Sequence, residues 1–193
     1  MTARWVVDEV APKRDLRITW QPISLLFKND MDESDEPYPR YLKTHKMLRV
    51  MESVRAAVGD APVGDLYWEY GRRVHHDQDK DFDVADALTA VGLDAVHAAA
   101  FEDEAWDAPI RERMAVGIEL AGEDIGTPII GFHDRNGDRR AFFGPVITRV
   151  PSPDDSLDMW DSLMTLMNID GFWELKRTRT ERPDFGDRPN NFG

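Results

Sequence analysis

The chain of 193 residues contains no cysteine. That absence excludes disulfides, thiolate metal sites and any nucleophilic sulfur from within the chain. It also removes cysteine usage as a guide to redox compartment. Basic residues are scarce beside acidic ones: 24 Lys and Arg against 37 Asp and Glu set a formal net charge of −13. Phosphate backbones are bound by clustered cations, so this balance argues against a nucleic-acid partner. The one basic cluster, Lys176-Arg177-Thr178-Arg179, reads as a solvated or salt-bridged tail. No apolar run approaches the roughly 20 residues that cross a bilayer. Met1-Thr2-Ala3-Arg4 leads into an amphipathic pattern rather than a signal core. No membrane partner and a cytoplasmic location are therefore expected. A serine nucleophile elbow, a Gly-rich phosphate loop and a zinc-protease motif are all missing too.

What remains is an ordinary globular composition, 41% hydrophobic and 32% charged, long enough for a substantial core. Ala3, Val6, Val7 and Val10 recur at helical spacing, and Pro12 should close that helix. Leu16, Ile18 and Trp20 alternate with polar residues as a half-buried strand ending near Pro22. Asn29 to Pro39 is acidic and reads as a loop.

A helical block is expected over about 40–122. Met47, Val50, Met51, Val54 and Val58 make one apolar stripe, stopped at Gly59. Leu66, Tyr67, Tyr70 and Val74 mark a second helix, and Val84, Ala87, Leu88 and Val91 a third. Asp94 can cap a short fourth, and Ile110, Met114, Ile118 and Ala121 outline a fifth.

Beyond the block the period returns to strands. Thr127 to Phe132 is apolar, Asn136-Gly137 is a strong hairpin signal, and Arg140 to Phe143 returns. Ser152-Pro153-Asp154-Asp155 has the chemistry of a helix start, with Trp160, Leu163, Met164 and Met167 on the buried face.

Individual residues have competing roles. Most X-Pro steps are plain turns or edge positions, but Thr127-Pro128 can also be a cis peptide that aligns a substrate by strand-like hydrogen bonds. His75-His76-Asp77 carries metal-ligand types, yet helix neighbours diverge and no second cluster completes a site, so no metal is expected. Arg49 reads as an exposed arginine of an amphipathic helix. Phe142, Phe143 and Trp20 read as core, or as a flat wall for a planar ligand.

Taken together, Glu123-Asp124-Ile125-Gly126-Thr127-Pro128, Phe142-Phe143-Gly144-Pro145-Val146 and Leu175-Lys176-Arg177-Thr178-Arg179-Thr180-Glu181 resemble the DsbA-like thioredoxin superfamily. Within it they are similar to the actinobacterial mycothiol-dependent nitroreductase group. Weaker matches are Trp5, Ser24-Leu25, Arg49 and Arg73-Val74-His75. The resemblance implies an α/β fold: a single thioredoxin-like, DsbA-type domain over 1–193, with the helical block as its insertion. It implies a reductase exchanging electrons between a small thiol, mycothiol, and a disulfide or small electrophile, with no resident cofactor. Thr127 and Pro128 would form the catalytic cis-proline loop. Trp5, Arg49 and His75 would face the thiol, and Phe142, Phe143 and Trp20 the substrate.

Relatives place the nucleophilic cysteine just before the helix that holds Trp5. The resemblance therefore implies a strand and a cysteine-bearing turn, on the order of fifteen to twenty residues, ahead of Met1 and missing with the first strand. Two alternatives stand beside it: a non-catalytic thioredoxin-fold binding module, and a kappa-type thiol transferase. Substrate and oligomeric state are not legible.

Overall fold

The computed structural model describes residues 1–189. Its helices in chain order are α1 (2–14), α2 (Leu25–Lys28), α3 (Tyr38–Val58), α4 (Ala61–Gly71), α5 (Val84–Ala90), α6 (Asp107–Ala121) and α7 (Pro153–Met167). The strands are β1 (Ile129–His133) and β2 (Arg139–Phe143). By internal contacts the chain divides into two compact units. One comprises Met1–Ile18 with Val116–Gly186; the other comprises Thr19–Ala115 with the chain end from Asp187.

In the first unit α1 is composite: Thr2–Arg4 is α-helical, Trp5–Val10 is a π-helical turn and Ala11–Arg14 is α-helical again. Pro12 therefore does not close the helix, as its sequence position suggested. The wider turn before it, with the Ala11 N–H bonded to the Val6 carbonyl five residues back, loosens the ladder where a proline ring would otherwise clash. The helix ends instead at Asp15, which adopts the left-handed conformation at φ 50°. Trp5, Val6 and Val10 are buried against Trp160 of α7, with Ile130, Val150 and Leu163 packed around them. The Trp5 and Trp160 rings meet edge to face at 6.0 Å.

β1 and β2 form an antiparallel hairpin in the register Ile129↔Phe143 through His133↔Arg139. Its turn is organised by Asp134, whose carboxylate accepts the N–H groups of Asn136 and Asp138 and the Arg140 Nε–H. Gly137 supplies the positive φ, 87°, that the turn requires. Ser152 caps α7 as its sequence predicted, accepting the Asp155 N–H at 3.3 Å.

No strand forms at Leu16, Ile18 and Trp20, contrary to the alternation in the sequence. A strand is defined by a partner, and among the described residues no neighbouring backbone pairs with this segment. The Trp20 carbonyl is taken instead by the Arg55 guanidinium at 3.0 Å, and its ring lies on Tyr67 at 4.7 Å. The sheet of the described residues consequently has two strands.

The second unit is helical. Val50, Val54, Val63, Leu66, Ala87 and Leu88 form its fully buried centre, joining α3, α4 and α5. The stripes expected at these positions form the helices that carry them. α3 begins earlier than its stripe, at Tyr38, so Pro39 lies in its first turn rather than in the acidic loop. α4 continues into a π-helical turn, Arg72–His76. The Asp94 cap forms, with its carboxylate 2.9 Å from the Val96 N–H, but the element it opens, Ala95–Glu102, is a 3₁₀ helix. The short α2, capped by Ser24, was not anticipated.

Candidate functional site

Thr127-Pro128 leads directly into β1, and its peptide bond is cis. The Pro128 carbonyl accepts the Gly144 N–H at 2.8 Å, extending the hairpin by one rung. Gly144-Pro145 is also cis, with Gly144 at φ 97°. The Pro145 carbonyl accepts the Thr2 hydroxyl at 2.6 Å, which ties the start of α1 to the turn after β2. Gly126 has no side chain to spare: a Cβ there would lie 3.3 Å from the Phe143 ring. Phe143, 44% exposed, therefore covers the backbone that precedes Thr127 and keeps an open face. Phe142 is half-buried and meets Phe132 edge to face at 5.9 Å.

Trp5 has no exposed surface and donates its indole N–H to the Ser156 carbonyl at 3.3 Å. Thr127, Pro128, Phe142, Phe143 and Trp5 all belong to the first unit, whereas Trp20, Arg49 and His75 belong to the second. In that unit Trp20 is half-buried among Tyr67 and Trp68. His75 is exposed in the π-helical turn, where partial desolvation, the largest influence, holds its imidazole below the ordinary range. The neighbouring Asp77 carboxylate is held by Arg72 at 2.6 Å and Arg188 at 2.5 Å. Among the described residues no group of three or more His, Asp or Glu side chains is placed to hold a metal ion.

Arg49 departs from its sequence reading as an exposed arginine: it is buried, 4% exposed. Its guanidinium makes two bonds to the Asp107 carboxylate, at 2.6 and 3.0 Å, which is the fork geometry that lets arginine enter a core. The same carboxylate lies 2.9 Å from His45 Nε2, and His45 Nδ1 lies 2.9 Å from the Ser24 hydroxyl. Asp107 accepts from both bases, so His45 carries its proton on Nε2 and receives the Ser24 O–H on Nδ1. Ser24 in turn accepts the Phe27 N–H at 3.3 Å. Burial lowers the His45 pKa, aided by Arg49 and Arg111 and opposed by Asp107. For Asp107 burial acts upward, but the bonds from Arg49 and His45 outweigh it and hold the carboxyl below the usual range.

This chain of serine, histidine and aspartate escaped the sequence reading, because its members are separated by 21 and 62 positions. One local signal exists: His45, Arg49 and Glu52 recur at i, i+4 and i+7 and are all buried, a polar stripe beside the apolar one. Ser24 is 1% exposed and acts as a helix cap, so its hydroxyl has no approach for a substrate. The network orders the helices rather than attacking a substrate.

The described helices include none long and apolar enough to cross a membrane. The chain is of a thiol-dependent oxidoreductase lineage. Residues 1–177 match the Rv2466c-like family, described as mycothiol-dependent nitroreductase Rv2466c, and the chain belongs to that family.

Proposed function

We propose that this chain is a thiol-dependent oxidoreductase of the DsbA and mycothiol-dependent nitroreductase type, on a thioredoxin-like scaffold with a helical insertion. The observation that carries this is the family match, whose span includes both Thr127-Pro128 and Phe142-Phe143-Gly144-Pro145. Thr127 and Pro128 align the sulfur of a small thiol, mycothiol, by backbone hydrogen bonds, and the open face of Phe143 receives a planar electrophile. Phe142, its neighbour on β2, extends that aromatic surface within the same unit. Trp5 and Arg49, both buried, act through the elements they hold in place. A cytoplasmic setting suits a soluble low-molecular-weight thiol.

In the net reaction two thiols become one disulfide. Their two electrons and two protons pass to a substrate disulfide, or reduce a nitro group to nitroso with release of water. The 193 residues hold no sulfhydryl. The resemblance assigns the nucleophilic sulfur to a cysteine, which these residues do not supply. The absence of cysteine also favours one second reading, a non-catalytic binding module of the same fold.

The test compares mycothiol-dependent reduction of a nitroaromatic by this chain and by a form extended in frame into the upstream coding sequence. Turnover by the extended form, lowered about ten-fold or more by Pro128→Ala, supports the proposal. An extended form without cysteine and without turnover sinks it in favour of the binding module.

A further inference from the structure

The helical unit contains a groove of about 530 Å³, within the size range of small-molecule sites. Its walls are apolar: Leu42 of α3, Phe82 and Val84 at the start of α5, and Ala98 and Phe101 of the 3₁₀ helix. Two cations line it as well, Lys43 and Lys46, three positions apart on α3 and so on one face.

The charges are distributed unevenly. The Lys46 side chain is only 20% exposed and reaches over the Phe101 ring at 5.5 Å, whereas its partner Glu102, 2.5 Å away, is 71% exposed. Lys43 is likewise part-buried, and its partner Asp81, at 2.9 Å, is 97% exposed. Lys43 also donates to the Lys80 carbonyl. Both lysine stems are thus part-buried along the lining, while their counter-charges stand in water, where screening makes such pairs weak. The remaining acid of the lining, Asp83, is committed to capping α5 through the Ala85 N–H at 2.8 Å. The groove therefore offers apolar walls and two replaceable cation pairings.

We propose that this groove is a binding site for a small organic acid, with one carboxylate held by Lys43 and Lys46 and an apolar or aromatic body against Phe82 and Phe101. The lysines select the anion as point charges, without the bidentate geometry a guanidinium would impose. The site lies wholly within the helical unit and is independent of the thiol chemistry proposed above.

The probe is hydrocinnamate, titrated calorimetrically into the full chain at low salt, with hydrocinnamide as its uncharged counterpart. The expected result is saturable binding of one acid per chain, with the amide at least about ten-fold weaker. The Lys43→Gln/Lys46→Gln variant should weaken acid binding by a similar factor and leave the amide unchanged. Amide resonances of Ala98 and Phe101 should shift on saturation. Equal affinity for acid and amide, an unaltered double variant, shifts confined to other residues, or no saturable binding would each overturn the assignment.

Discussion

Arg49 and His45 donate to the same carboxylate, that of Asp107, at 2.6 Å and 2.9 Å. Two bases one helical turn apart on α3 are thereby satisfied by a single acid at the first position of α6. Asp107→Asn keeps the shape of this acceptor and deletes its charge. Arg49 would remain buried without its counter-ion, so a loss of about 2–3 kcal/mol is expected in urea unfolding followed by circular dichroism. A loss below about 0.5 kcal/mol would mean that solvent substitutes for the carboxylate.

The same network sets a pH dependence. His45 resists protonation in the folded state because it is buried beside Arg49 and Arg111, whereas in the unfolded chain it titrates near its usual value of about 6.5. Below that value the unfolded state takes up a proton that the folded state refuses, so stability should fall as pH drops from about 6.5. His75, lowered chiefly by partial desolvation, contributes in the same direction. Asp107 adds a separate loss at more acidic pH, as its depressed carboxyl is protonated. Chemical denaturation from pH 8 to pH 4.5 checks this. His45→Gln should flatten the slope only in part, and an unchanged slope would remove His45 from the account.

Two glycines of α4 make opposite predictions. A Cβ at Gly64 would lie 2.7 Å from Trp20 Nε1, so Gly64→Ala must displace a ring packed between Tyr67 and Trp68. Gly71 has helical dihedrals and open space around it, so Gly71→Ala gains helix propensity alone. Thermal melts should show Gly64→Ala destabilised by about 1–3 kcal/mol. Gly71→Ala should be stabilised by up to about 1 kcal/mol. Equal behaviour of the two would contradict the packing of Trp20.

Among the described residues the Tyr70 hydroxyl is the buried side-chain polar atom without a hydrogen-bond partner. Burial pushes its pKa far up, and its ring lies against Phe82 at 5.7 Å. Removing an unsatisfied hydroxyl carries no lost bond. Tyr70→Phe should therefore leave stability unchanged or raise it by about 1 kcal/mol, where truncation of a core residue would normally lower it. A clear drop in melting temperature would show that the hydroxyl has a partner, such as an ordered water.

The features legible in the sequence are those decided within a few residues. Val50 and Val54 mark a buried stripe by spacing alone, Asn136-Gly137 specifies its own turn, and Ser152-Pro153 specifies its own cap. Leu16 to Trp20 misled because alternation describes a surface, whereas a strand exists only when a neighbour accepts its hydrogen bonds. Arg49 misled for a related reason. An arginine on a helix is exposed by default, and only the distant Asp107 brings it inside. The hairpin that carries Phe142 and Phe143 and the cis bond at Thr127-Pro128 are likewise local features. The Ser24–His45–Asp107 chain is a product of tertiary folding, and spacing marks only His45, within the polar stripe of α3.

That chain has a further consequence for how α2, α3 and α6 are aligned. Greasy side chains tolerate sliding, since one methyl group can replace another at little cost. A slip of one helical residue moves every atom by about 1.5 Å along the axis and swings it about 100° around it. No hydrogen bond near 2.9 Å survives such a displacement. Ser24, His45, Arg49 and Asp107 therefore act as a vernier: apolar burial brings the helices together, and the polar line fixes which residue stands opposite which.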